Sequence, residues 1–84
     1  MELTELPNIG PVLAGNLQKV GIETPEELQE AGTYDAFMRI RAQVDSGACL
    51  HQLTAIEGAV EGVRKSALSL EKKAELKTFY QNLK

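Results

Sequence analysis

The chain has 84 residues, 43% of them hydrophobic and 25% charged, with a formal charge of −3. At that length one domain, spanning residues 1–84, buries about 60–65% of the surface its unfolded chain exposes, enough for four or five short helices and too much order for the disordered class. No apolar run approaches the roughly 18 residues of a membrane span, and the acidic start MELTE lacks the basic region of a signal peptide, so no membrane association and a cytoplasmic location are expected.

Leu3 and Leu6 are the apolar residues of a short first segment that ends near Pro7, because the residue before a proline avoids the helical region. Pro11 follows Gly10 and suits the first turn of a helix. In that helix Leu13, Leu17 and Val20 share one face, and Gly21 stops it. The stretch LPNIGPVLAGNLQKVGI therefore has the layout of a helix–hairpin–helix. TPEEL gives a sharp helix start, with Thr24 as N-cap, Pro25 at the first position and Glu27 completing a capping box. Gly32 closes this helix. Thr33 is expected to cap the next, whose buried face is Phe37, Ile40 and Val44 while Arg39 points away.

Asp45 to Gly47 is a turn. From about Ala48 the series Cys49, Leu53, Ile56, Val60 and Val63 predicts one longer buried helix containing Gly58 and Gly62, where a neighbouring helix would approach closely. The alternative takes AIEGAVEG, which echoes NIGPVLAG, as a second, degenerate hairpin. Ser69 caps a last helix with Leu76, Phe79 and Leu83 toward the core. No stretch alternates apolar and polar residues as a strand does, so the fold class is all-α, about five short helices with short connections.

Catalysis finds little to work with. The single histidine, His51, lies two residues from Cys49, on a different helix face, and reads as a surface residue. Cys49 reads as a small apolar member of the buried repeat; without a partner it forms no internal disulfide, which suits a reducing compartment. No second Cys or His stands at ligand spacing, so no metal and no cofactor are expected. Glu57 and Glu61 read as a solvated charged face opposite Arg64 and Lys65. With no nucleophile, base and orienting group to assemble, the chain is not expected to be an enzyme.

Two features remain as binding candidates. At the hairpin, Asn8, Ile9 and Gly10 precede a helix N-terminus whose N–H groups suit an anion or a DNA phosphate, with Lys19 as the cation within that segment. The other reading is a sharp turn that joins helices, and the charge favours it. Residues 1–32 hold six acids against Lys19, a balance of −5, whereas residues 33–84 hold six acids and eight bases, a balance of +2. Phosphate affinity comes from Lys and Arg that displace counterions. The second candidate is the last helix, where Lys73, Lys77, Tyr80 and Lys84 follow i, i+4, i+7, i+11 and fall within about 40° of one another, with Arg64 and Lys65 as an extension. This stripe is either a solubilising face or a basic surface for an acidic partner, DNA or protein, and is the better place to look for one.

In order, LPNIG, GI-T-EEL and L-AIEGA-EG-R resemble the C-terminal domain of the TfoX/Sxy family, bacterial regulators of natural competence, from about Leu3 to Tyr80. The resemblance implies a small SAM-like, helix–hairpin–helix domain and a role in transcription regulation, switching on DNA-uptake genes together with a cyclic-AMP receptor protein. A weaker resemblance, through GI-T--EL, is to the C-terminal domain of the RNA polymerase α subunit. Two departures stand out: regulator-type members carry another domain ahead of this one, and many have an aromatic where this sequence has Lys65. The expected function is a non-enzymatic regulatory or adaptor module acting through a protein partner, a transcription factor or RNA polymerase, with DNA contact and self-association as further expectations. Direct nucleic-acid binding by the hairpin is the alternative.

Overall fold

A computed structural model describes residues 1–83. Among them there are five α-helices and no strand: α1 (Pro11–Lys19), α2 (Pro25–Ala31), α3 (Thr33–Gln43), α4 (Leu50–Glu61) and α5 (Leu70–Gln81), with 3₁₀ turns at Leu3–Glu5 and Lys65–Ala67. Phe37, Leu17, Ile22, Leu28, Ile40, Leu53, Ile56 and Leu76 are the large, fully buried side chains, so every helix contributes to one core. Helix α3 packs chiefly on α4, which also meets α5 and the second 3₁₀ turn.

Local chemistry accounts for the helix ends. At α1, the N–H of Ile22 donates to the carbonyl of Leu17 (2.9 Å) and that of Gly21 to Gln18 (3.1 Å), the paired bonds of a Schellman stop, and Ile22 packs back into the core. At α2, Thr24 Oγ1 accepts from the N–H of Glu27 at 3.1 Å, as TPEEL predicts. The return bond differs by one residue: Glu27 Oε1 accepts from Glu23 N–H at 2.8 Å rather than from Thr24. Thr24→Ala is expected to lower stability by about 1 kcal/mol, and Thr24→Ser to leave it nearly unchanged, in urea denaturation. Ser69 Oγ caps α5 in the same way, accepting from Lys72 N–H at 3.0 Å.

Four expectations need correction. Thr33 is not a cap: α2 and α3 meet with only Gly32 between them, Gly32 takes the cap position, and Thr33 becomes the first residue of α3, buried with no partner for Oγ1. Cys49 is exposed, not buried. The Asp45–Gly47 turn, closed by Gly47 N–H to Asp45 Oδ1 (2.9 Å), delivers Ala48 to the core and leaves Cys49 as the residue before α4. Gly62 is not inside a helix: with φ +77 it ends α4, where Val63 N–H donates to Gly58 (2.8 Å) and Gly62 N–H to Ala59 (3.2 Å), a second Schellman stop. That helical course also removes the degenerate hairpin at AIEGAVEG. Finally, Glu57 is only 7% exposed, because α3 and α5 close over its side of α4.

Candidate interaction surface

The hairpin is built around Asn8, whose φ of +69 is a conformation that asparagine tolerates better than most residues. Its side chain turns into the fold. Nδ2 donates to the carbonyl of Val63 at 3.0 Å and to that of Ala55 at 3.5 Å, and Oδ1 accepts from the backbone N–H of Lys65 at 3.0 Å. The amide orientation follows from these partners, since only an oxygen can meet an N–H and only an NH₂ can meet two carbonyls. Gly58 makes room for this contact. A Cβ there would stand 2.8 Å from the Val63 carbonyl oxygen, 3.3 Å from Lys65 N, and closer still to Asn8 Nδ2. The close approach expected at Gly58 is thus to the hairpin and the turn after α4.

The rest of the hairpin divides between core and solvent. Ile9 is buried, while Gly10, Pro11 and Val12 are exposed, Val12 at 77%. Gly10 is the N-cap of α1 in extended conformation, its carbonyl accepting from Ala14 N–H. Lys19 lies at the other end of α1, about 13 Å from Gly10 at 1.5 Å per residue, so the structure does not bring it to the hairpin. It brings Arg64 and Lys65 there instead. Both are exposed, in the turn that Asn8 holds.

The basic stripe of α5 is only partly a surface. Lys77 is exposed, and half-buried Lys73 reaches back to the carbonyl of Ser66 (3.4 Å), on the side of Lys65. Tyr80 is half-buried, its ring edge-on to Phe37 with centroids 6.3 Å apart. Lys84 lies outside the described residues.

A second polar cluster joins α3, α4 and α5. Tyr34 packs on Phe79 with centroids 4.4 Å apart, and its hydroxyl donates to Glu75, which also pairs with Lys72 at 3.2 Å. Burial first, then the bond to Glu75 and the charges of Glu75 and Glu57, push the Tyr34 hydroxyl up to about 12. The bonds from Tyr34 and then Lys72 hold Glu75 below the usual carboxylate range. The hydrogen bond with Glu57 raises Glu61, and Lys72 opposes that rise. The cation facing these acids is therefore Lys72, not Arg64 or Lys65 as the spacing suggests. The raised Tyr34 value means that folding favours its neutral form. That contribution is complete below the unfolded value near 10 and is lost as pH rises through about 12. In ultraviolet titration, one tyrosine is expected to ionise near 12, and Tyr34→Phe to remove that late component.

On the opposite flank of α3, a groove of about 280 Å³ runs between the end of α1, α2 and α3, lined by acidic Glu27, Glu30 and Asp35 and by Arg39. Arg39 is bound to Asp35 at 2.8 Å and to the Val20 carbonyl at 3.4 Å. Among the described residues no three His, Cys, Asp or Glu side chains are grouped to hold a metal ion, and no helix is long and apolar enough to cross a membrane.

Two solved structures are similar to this chain over nearly its whole length. An uncharacterized protein from Listeria monocytogenes, in a triclinic crystal form, is 51% identical with a TM-score of 0.96, over 99% of this chain and 93% of that one. A Listeria monocytogenes protein of unknown function, in a tetragonal form, is 51% identical with a TM-score of 0.94, over 98% and 99%. No curated protein matches. The TfoX C-terminal domain family matches residues 1–80, which takes in the hairpin, the Asn8 contact and nearly all of α5, and the chain belongs to that family.

Proposed function

We propose that the chain is a non-enzymatic regulatory or adaptor module of the cytoplasm that acts through a protein partner, a transcription factor or an RNA polymerase subunit, in gene control of the competence type. The observation that carries this reading is the gathering of exposed Arg64 and Lys65 at the hairpin end of a scaffold of this family. A pull-down from the native cytoplasm, with and without nuclease, tests it. The expected result is a transcription factor or polymerase subunit retained after nuclease treatment. Loss of every partner after nuclease favours the second reading, direct nucleic-acid binding by the hairpin. That reading gains from the same placement, because the two bases offset the acidic balance of residues 1–32 where a phosphate would lie. Light scattering tests self-association, and a monomer at high concentration removes it.

A further inference from the structure

Buried Glu57 has a second acid on its own helix face four residues on, exposed Glu61, and the two carboxyl groups are hydrogen-bonded to each other. Ionised carboxylates accept and do not donate, so that bond exists only while one of the two carries a proton. No cation stands in for it. Among the described residues the ion pairs are Arg39–Asp35, on the other flank of α3, and Lys72–Glu75 at 3.2 Å, and neither reaches Glu57 or Glu61. Lys72 faces both acids but is bonded to Glu75. The other elements packed on α4 bring no substitute. From α3, the Tyr34 hydroxyl is spent on Glu75 and stays neutral to about 12, and Arg41 reaches the Leu83 carbonyl at the far end of α5. From α2 the contact is uncharged Gln29, which donates to the Val60 carbonyl. From the second 3₁₀ turn it is the backbone of Lys65, beside Gly58, with the Arg64 and Lys65 side chains exposed.

We propose that one proton, held by Glu61 on the buried carboxylate of Glu57, fastens α5 against α4. While it is in place, Lys72 stays with Glu75 and Glu75 accepts from Tyr34, so α5 is tied to α3 over a seam with one acid neutralised. When it leaves, three carboxylates of two helices face one ammonium across that seam. Lys72 then serves Glu75 or the pair but not both, and the like charges four residues apart on α4 repel as well. The grip on α5 is therefore firmer in mild acid. Folding favours the proton on Glu61, so its contribution is complete below the unfolded value of 4.5 and is lost as pH rises through the raised folded value. Glu75 works in the other direction: held low by Tyr34 and Lys72, it contributes above 4.5 and fails as pH falls through its lowered folded value. Above 4.5, then, the Glu61 proton is the one that changes within this cluster until Tyr34 ionises. The helix it fastens is the one that bears Lys73 and Lys77.

Native-state hydrogen exchange on the full chain tests this, by comparing the amide of Leu76 in α5 with that of Leu53 in α4, both fully buried residues, at about pH 5 and about pH 7.5. With rates corrected for intrinsic exchange, the protection of Leu76 relative to Leu53 is expected to fall severalfold from the lower pH to the higher. In Glu61→Gln, whose amide donates to Glu57 at every pH, that fall is expected to vanish. Glu23→Gln, which removes the same charge ahead of α2, is expected to keep it. No fall in the parent protein, or an equal fall in Glu61→Gln, overturns the inference. So does a fall that Leu53 shares, which would mean that the whole fold responds and not the α5 seam. Loss of the fall in Glu23→Gln as well would assign it to net charge and overturn the inference too. Carbon-13 detection of the side-chain carboxyls supplies the second measurement. Glu61 is expected to titrate above the ordinary carboxylate range in the parent protein and to lose that rise in Glu57→Gln, and an ordinary Glu61 in the parent overturns the shared proton.

Discussion

Gly58→Ala is expected to destabilise the fold by about 2 kcal/mol, although the same change in an open helix stabilises by about 1 kcal/mol. The sign depends on what a methyl group at this position meets. Three groups surround it: the Val63 carbonyl oxygen at 2.8 Å, Lys65 N at 3.3 Å and, nearest, Asn8 Nδ2. The first two are backbone, fixed by the bonds that end α4, so they yield only if that turn opens. Asn8 is a side chain, but its amide is committed to three hydrogen bonds, and moving it breaks the part-buried bonds to the Val63 and Ala55 carbonyls as well as the one from Lys65 N–H. Overpacking of this kind costs about 1–3 kcal/mol and a stranded polar group a further 1–3 kcal/mol, which together outweigh the helix-propensity gain. In a domain of this size the loss corresponds to a melting temperature lower by roughly 8–16 °C. Thermal unfolding followed by circular dichroism checks it. An unchanged or raised midpoint would refute the close approach.

Asn8→Asp is expected to cost about 2–3 kcal/mol at neutral pH and markedly less in acid. The substitution is nearly isosteric, and aspartate tolerates the positive φ, so backbone and packing are spared. One oxygen still accepts from Lys65 N–H. The other replaces an NH₂ group and faces the carbonyl oxygens of Val63 and Ala55, acceptor against acceptor. Protonating the carboxyl restores a donor toward Val63. Folding therefore favours the protonated acid and raises its pKa in the folded state, so stability is retained at low pH and lost as pH rises through that raised value. Measured against the parent protein in urea at two pH values, the stability gap should widen from acid to neutral. A constant gap would mean that Nδ2 is not the donor.

The course of the helices is legible in the sequence because their signals are local. Thr24, Ser69 and Gly21 act on residues within one turn of themselves, and they stand in the structure where TPEEL, the Ser69 start and VGI place them. The misreadings occur where periodicity runs past a helix end. Cys49 keeps the spacing of the α4 face but precedes the helix, and Val63 keeps it but follows Gly62. Glu57 is misread for another reason, since burial of a carboxylate depends on how α3 and α5 close over α4. The hairpin surface was the least legible part. Charge counted along the chain separates acidic residues 1–32 from basic Arg64 and Lys65, whereas the fold sets them side by side. Gly58 inside a helix was the visible sign of a close contact, but nothing near it in sequence identifies Asn8 as the partner.

The bonds of Asn8 span 47, 55 and 57 positions along the chain, which bears on the order of events in folding. Closing a loop of that length carries a chain-entropy term of about 3.5 kcal/mol, so this contact is expected to form after the helices and to open before them. Two amides two residues apart should then exchange with solvent by different routes. The Val63 N–H, bound to Gly58 within the end of α4, is released when that helix frays. The Lys65 N–H, bound to a side chain from the far end of the chain, is released when the hairpin swings away and α4 stays intact, so its hydrogen-exchange rate reads that single opening.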